Sequence, residues 1–169
     1  PAWKKQENII DIIDQHQVTL VTGETGSGKS TQVAQFVVDS FINSGNGEKV
    51  DIICSQPRRI SAMGLAQRVA DERASDIGDA IGYVIRGESK VSNKTLLRFV
   101  TTGVLVRMIQ QGPEEFSRFS HIVVDEVHER SLDSDFLLIL LKRIISINKN
   151  VKIVLMSATV DPSLFINYF

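Results

Sequence analysis

Gly23-Glu24-Thr25-Gly26-Ser27-Gly28-Lys29-Ser30, followed by Thr31, sets glycines, a lysine and hydroxyls at a spacing suited to a polyphosphate. The glycines let successive backbone N–H groups turn inward around a phosphate. An apolar, β-rich run, Val18-Thr19-Leu20-Val21, leads into the loop, and a helix-compatible run from Ser30 to Ile42 leads out. That helix adds free N–H groups and the positive end of its dipole. Lys29 can reach the β- and γ-phosphates as a point charge, and the Ser30 hydroxyl can ligate Mg²⁺. The plain alternative is a glycine-rich strand–helix turn with no ligand, and the complete pattern in this context argues against it.

A second group of chemical residues follows the apolar run His121-Ile122-Val123-Val124. Asp125 there suits an acid that holds Mg²⁺ through water. Glu126 would face the γ-phosphate, where a carboxylate can orient and deprotonate an attacking water. An acidic pair at a strand end also caps following helices, and only the phosphate loop in the same chain favours the metal reading. Arg58 and Arg59 stand at a strand end and a helix start, where guanidinium groups and free N–H groups can grip a nucleic-acid backbone. Thr101 and Thr102 could add hydroxyl hydrogen bonds to that backbone. The competing reading pairs Arg58 and Arg59 with acids such as Asp71 and Glu72.

The elements that must position these residues alternate. Residues 1 to 17 carry Ile9, Ile10, Ile12 and Ile13 at helical spacing, with His16 as a C-terminal cap. Val50 to Cys54 reads as a buried strand, and Ser61 to Ala74 as a helix. Gly82 to Arg86 and Thr95 to Val100 read as strands split by a polar turn. A helix through Val104, Leu105 and Met108 follows, stopped at Gly112-Pro113. Leu132 to Ile147 is an apolar helix, Val151 to Met156 the last strand, and Asp161-Pro162 opens a short final helix. Strands alternating with helices predict an α/β fold with a mostly parallel sheet covered on both faces. In such sheets ligands sit at the carboxyl ends of the strands, where the polar clusters fall.

The 169 residues suit one domain, and 43% hydrophobic content can fill its core. No stretch is apolar and long enough for a bilayer, so no membrane partner is expected. Pro1-Ala2-Trp3-Lys4-Lys5 does not read as a signal peptide, and the single Cys54 fits a reducing, intracellular compartment. Lys4-Lys5 is too short to choose between cytoplasm and nucleus. A formal net charge of −1 means that any nucleic-acid contact must come from a local cluster.

Gly23 to Thr31, Ser55-Gln56-Pro57-Arg58-Arg59, Thr101-Thr102-Gly103, Asp125-Glu126-Val127-His128-Glu129-Arg130 and Ser157-Ala158-Thr159 together resemble the DEAH-box group of superfamily 2 RNA helicases. They stand in that family's order, and the resemblance covers essentially the whole chain. It implies a RecA-like phosphate-loop NTPase domain of three layers, the first of two in such helicases. Carried to this sequence, it implies that residues 23–31 bind ATP and that Ser30 and Asp125 hold Mg²⁺. Glu126 would be the catalytic base beside the metal, with Lys29 on the phosphates. His128 would couple the nucleotide site to Ser157 and Thr159, Arg68 would stack on the adenine, and Arg58, Arg59, Thr101 and Thr102 would contact single-stranded RNA. Val127 stands where the family name has alanine, an apolar exchange found in the DEVH variant. Ser55 and Ser30 keep the hydroxyl where threonine is common.

The resemblance further implies ATP hydrolysis driving 3′-to-5′ movement on RNA in an intact protein with a second RecA-like domain, further C-terminal domains and an activating partner. That second domain carries an arginine finger, worth on the order of 10³–10⁵ in rate. The chain alone is therefore expected to turn over ATP very slowly. Two rival readings share the same core: a nucleotide-gated RNA-binding scaffold without turnover, and a DNA-directed phosphate-loop motor.

Overall fold

The computed structural model describes residues 2–158 and 161–169. Seven strands form one sheet: β1 (Val18–Thr22), β2 (Ile52–Gln56), β3 (Ile81–Ile85), β4 (Glu88–Lys90), β5 (Leu97–Thr101), β6 (His121–Val124) and β7 (Lys152–Ser157). Their spatial order is β1-β7-β6-β2-β5-β3-β4, and every pair is parallel except β3 with β4. Parallel neighbours need long crossovers, which the helices supply. These are α1 (Gln6–Gln15), α2 (Lys29–Asn43), α3 (Arg59–Glu72), α4 (Thr102–Gln110), α5 (Pro113–Ser117), α6 (Leu132–Ile147) and α7 (Ser163–Tyr168).

Alternation along the strands divides the core into two layers. Ile52 and Cys54 of β2 face α1, α2 and α3, joined by Phe99, Val123, Val154 and Met156. Ile53 between them faces the other way, with Val100, Ile122, Val124 and Leu155, against α4, α5, α6 and α7. Both faces of the central strands are thus buried, which is why β2 and β6 read as mostly apolar runs. The architecture is the three-layer, mostly parallel α/β fold expected from the sequence. No helix among the described residues is long and apolar enough to cross a membrane.

Some boundaries depart from expectation. The polar stretch after β3 is not only a turn: Glu88–Lys90 adds an antiparallel edge strand. Its residues are exposed, so no apolar alternation marks it. Gly82 is required there, because a side-chain Cβ would lie 2.2 Å from the Lys90 carbonyl oxygen. β2 begins at Ile52 and runs on to Gln56, with Val50 and Asp51 outside it. Pro113 stands in the first turn of α5 as well as ending the run of α4, the position where its missing N–H has no intrahelical partner to lose. His16 caps α1 as expected, its Nδ1 lying 3.0 Å from the Ile12 carbonyl oxygen.

Candidate functional site

Five neighbouring strands end on the same edge of the sheet and deliver the polar residues there. β1 opens into the phosphate loop, and the Gly23 N–H donates to the Ser157 carbonyl at the end of β7 (3.2 Å). β6 ends at Asp125, whose N–H donates to the Ser55 carbonyl of β2 (3.1 Å). Gln56 pairs in register with Thr101 of β5. Residues far apart in sequence therefore meet because parallel strands point their carboxyl ends one way.

In the loop, Gly26 and Gly28 have φ of 82° and 89°, left-handed values that a side chain disfavours. Gly28 is the residue before α2, so the turn aims the first N–H groups of that helix at the loop. Lys29 is buried, and its ammonium donates to the Gly23 carbonyl, to the Glu24 carbonyl (2.9 Å) and to Ser27 Oγ (3.2 Å). Its three protons thus have neutral oxygen partners. Thr25 and Ser30 line the adjoining cleft. Thr31 is buried instead, its hydroxyl donating back to the Gly28 carbonyl (3.3 Å), so its side chain supports the loop from behind.

Across that cleft, Asp125 is nearly fully buried. Its Oδ1 accepts the Glu126 N–H (2.8 Å) and its Oδ2 accepts Gln56 Nε2 (2.7 Å). Glu126 has φ 58° and ψ 34°, a left-handed backbone that costs a non-glycine residue energy and turns its side chain out of the strand line. Partial burial, and then the charge of Asp125, raise the Glu126 pKa above the ordinary carboxylate value, with His128 opposing. A raised carboxylate is a better proton acceptor for water.

His128 links two segments. Its Nδ1 accepts the Ala158 N–H (3.0 Å), so the ring proton sits on Nε2 and is donated to Glu126 Oε2 (3.0 Å). His128 thus meets residues 157–158 at the backbone N–H of Ala158, a group that side-chain chemistry in the sequence does not advertise. Ser157 adds its carbonyl to the phosphate-loop turn; Thr159 lies outside the described residues.

The cleft, about 560 Å³, is lined by Thr25, Ser30, Gln56, Arg58, Arg68, Glu126, His128 and Glu129 among others. Arg68 is exposed at its rim and pairs with Glu72 four residues on (3.2 Å). Glu72 in turn accepts from Gln32 (2.9 Å) and Gln35 (2.8 Å) of α2, which ties Arg68 to the helix after the phosphate loop. Arg58 does not pair with Asp71 or Glu72; its partner is Glu129 (3.1 Å). Arg59 is exposed at the start of α3, with no ion-pair partner among the described residues. Thr101 is half-buried, ahead of α4. Thr102 is buried, with its hydroxyl donated to the Gln56 carbonyl (3.2 Å). The Thr102 hydroxyl, expected to face RNA, thus joins β2 to α4 in this structure. Sequence reasoning gave Gln56 no role, although a polar residue closing an apolar strand at this edge was a usable signal.

A family model described as DEAD/DEAH box helicase matches residues 3–165. The chain is 53% identical over 171 residues to a putative ATP-dependent RNA helicase of Saccharomyces cerevisiae, YLR419W, covering all of this chain and 12% of that protein. It is 48% identical over 169 residues to the human putative ATP-dependent RNA helicase DHX57, again all of this chain and 12% of the relative. With the human ATP-dependent DNA/RNA helicase DHX36 the identity is 44% over 172 residues, covering 17% of the relative. The chain therefore spans less than a fifth of the length of these curated relatives.

Proposed function

The chain belongs to the DEAD/DEAH box helicase family, and from that premise we propose that it is the first RecA-like domain of an RNA-stimulated ATPase that moves along or unwinds RNA. The observation that carries the reading is the meeting of Lys29 and its loop with Asp125, Glu126 and His128 at one sheet edge. The triphosphate would lie in residues 23–31. Its anionic oxygens would replace the neutral oxygens that now accept from Lys29, a charge-assisted exchange.

Hard oxygen donors, the Ser30 hydroxyl and the Asp125 carboxylate, suit Mg²⁺, and Asp125 is already oriented by the Glu126 N–H and Gln56. When bound there, Mg²⁺ would neutralise charge on the phosphates. Glu126 takes a proton from the attacking water. His128 holds the Glu126 carboxylate toward the reacting side and transmits its position to Ala158. Arg68 offers a planar face for the base. Arg58, Arg59 and Thr101 meet the RNA backbone, which positions a strand without reading its sequence.

In this reading a second RecA-like domain, with its arginine finger, lies elsewhere in the intact protein; that the relatives are far longer than this chain supports it. The test is phosphate release from ATP, with and without single-stranded RNA, by this chain and by the full-length protein, each beside a Glu126→Gln control. RNA-stimulated release by the full-length protein alone supports the reading. Equal rates in full-length wild type and control would leave the scaffold reading standing. A human relative known as a DNA/RNA helicase gives the DNA-directed reading a foothold, and stimulation by RNA and DNA of one sequence separates the two.

A further inference from the structure

Gln56 joins the strand that leads to Arg58 and Arg59 to Asp125, the acid assigned above to Mg²⁺, by a side-chain hydrogen bond. It closes β2, is 2% exposed, and donates its Nε2 proton to Asp125 Oδ2 at 2.7 Å. The length is that of a charge-assisted hydrogen bond, and it fixes which lone pairs of the carboxylate remain for other partners. The backbone of the same residue serves the other side: its carbonyl accepts the Thr102 hydroxyl (3.2 Å). Two residues on stands Arg58, and α3 begins at Arg59. Pro57 between them restricts the backbone, so a shift of the arginines is passed to Gln56 rather than absorbed.

Burying an amide at the top of an apolar strand is costly unless it is hydrogen-bonded. If this place needed only to be filled, an apolar side chain like those of Ile52 and Ile53 earlier on β2 would serve. The amide instead meets a carboxylate, and partners of that kind orient a metal ligand.

We propose that Gln56 is a positioning residue: it holds the Asp125 carboxylate in its metal-accepting orientation and carries the coupling between RNA on Arg58, Arg59 and Thr101 and the nucleotide–metal site. The inference rests on the function proposed above and goes beyond it, since it assigns the link between the two sites to one buried amide. RNA that moves the start of α3 would move Gln56, and with it the carboxylate. In the other direction, metal and nucleotide that pull on Asp125 would draw the β2 exit and so alter the grip on RNA. Reciprocity of this kind is a thermodynamic requirement of coupled binding.

The test uses full-length protein and a Gln56→Met variant, which keeps the volume and removes the amide. The Gln56→Asn variant, whose amide falls one methylene short, is the second variant should the methionine disturb folding. Binding of a fluorescent ADP analogue is titrated against Mg²⁺, and binding of a labelled oligouridine is measured with and without Mg²⁺ and a non-hydrolysable ATP analogue. For the wild type, the nucleotide changes RNA affinity by about fivefold or more. In the variants, the Mg²⁺ midpoint rises by about tenfold or more, and the effect of nucleotide on RNA affinity shrinks toward none. Nucleotide affinity without metal, and RNA affinity without nucleotide, stay at wild-type values, which a general loss of structure would not allow. A wild-type Mg²⁺ midpoint and undiminished coupling in the variants overturn the proposal and leave the functional reading intact. If wild-type protein binds no RNA, or binds the nucleotide with no dependence on Mg²⁺, the functional reading fails and this inference falls with it.

Discussion

The two edges of the sheet treat charge in opposite ways. At the amino-terminal edge, Arg98 near the start of β5 is buried and bonded to Asp51, just before β2 (2.7 Å), and to the Thr95 carbonyl (3.1 Å). His121, the first residue of β6, is 2% exposed, bonded to the Ser120 hydroxyl (2.8 Å) and edge-on to the Phe41 ring. Burial, and then Lys152, push its pKa down to about 4, so it is neutral in the folded protein. At the carboxyl edge, Asp125 and Glu126 crowd together and Glu126 sits on a strained backbone, while the hydrogen bonds that Lys29 donates among the described residues go to neutral oxygens. One edge closes its charges within the fold. The other holds charges in arrangements that an anionic ligand and a cation would improve. Parallel strands make this division possible, because their ends differ and all point the same way.

Substitutions should therefore separate stability from activity along this axis. The largest effect is expected for Glu126→Gln in the full-length protein: ATP turnover falls by about 10²–10⁴-fold, while nucleotide affinity and melting temperature hold. A large fall in melting temperature would show that the carboxyl edge also carries the fold.

Arg98→Met should do the reverse. It leaves half-buried Asp51 without its hydrogen-bonded cation, with Arg118 the remaining positive charge acting on it, and should cost about 3 kcal/mol of stability in denaturant unfolding. A loss well under 1 kcal/mol would mean that water reaches Asp51 and that the amino edge is not closed.

His121 gives the same edge a pH dependence. A histidine held neutral, with a folded pKa below its ordinary 6.5, contributes stability above that value, and the contribution is lost as pH falls toward about 4. The contribution is about 3 kcal/mol at most. Asp51, whose pKa burial raises, titrates with the opposite sign, so the wild type must be compared with His121→Leu. The variant should show a shallower loss of stability between pH 6.5 and 4 in urea titrations. Identical slopes would break the assignment.

The smallest stability effect is expected at the exposed Arg58–Glu129 pair, where Arg58→Ala should change stability by about 0.5 kcal/mol or less. Its effect on RNA affinity should be larger, and the salt dependence of RNA binding should lose about one unit of slope. An unchanged slope would remove Arg58 from the RNA surface.

Much of this was legible in the chain. Buried parallel strands leave apolar runs such as residues 122–124, and the phosphate loop requires glycines where φ is positive, so the fold and its main loop show in residue types. The β4 strand did not, because an exposed edge strand carries no alternation. Thr102 looked like a surface hydroxyl; only the register of β2 and β5 turns it inward to Gln56.

By itself the sequence determined that strands and helices alternate, that a phosphate loop follows β1, and that acids, arginines and hydroxyls stand at strand ends. These are local matters, set by side-chain periodicity and backbone permissiveness. The tertiary structure alone decided which of them meet. Spatial order β1-β7-β6-β2-β5 interleaves segments distant in sequence, so Gln56 reaches Asp125, Arg58 reaches Glu129, and His128 joins Glu126 to the Ala158 backbone. Such contacts depend on strand neighbours and register, which no local pattern encodes, and one of them depends on a main-chain N–H that every non-proline residue has.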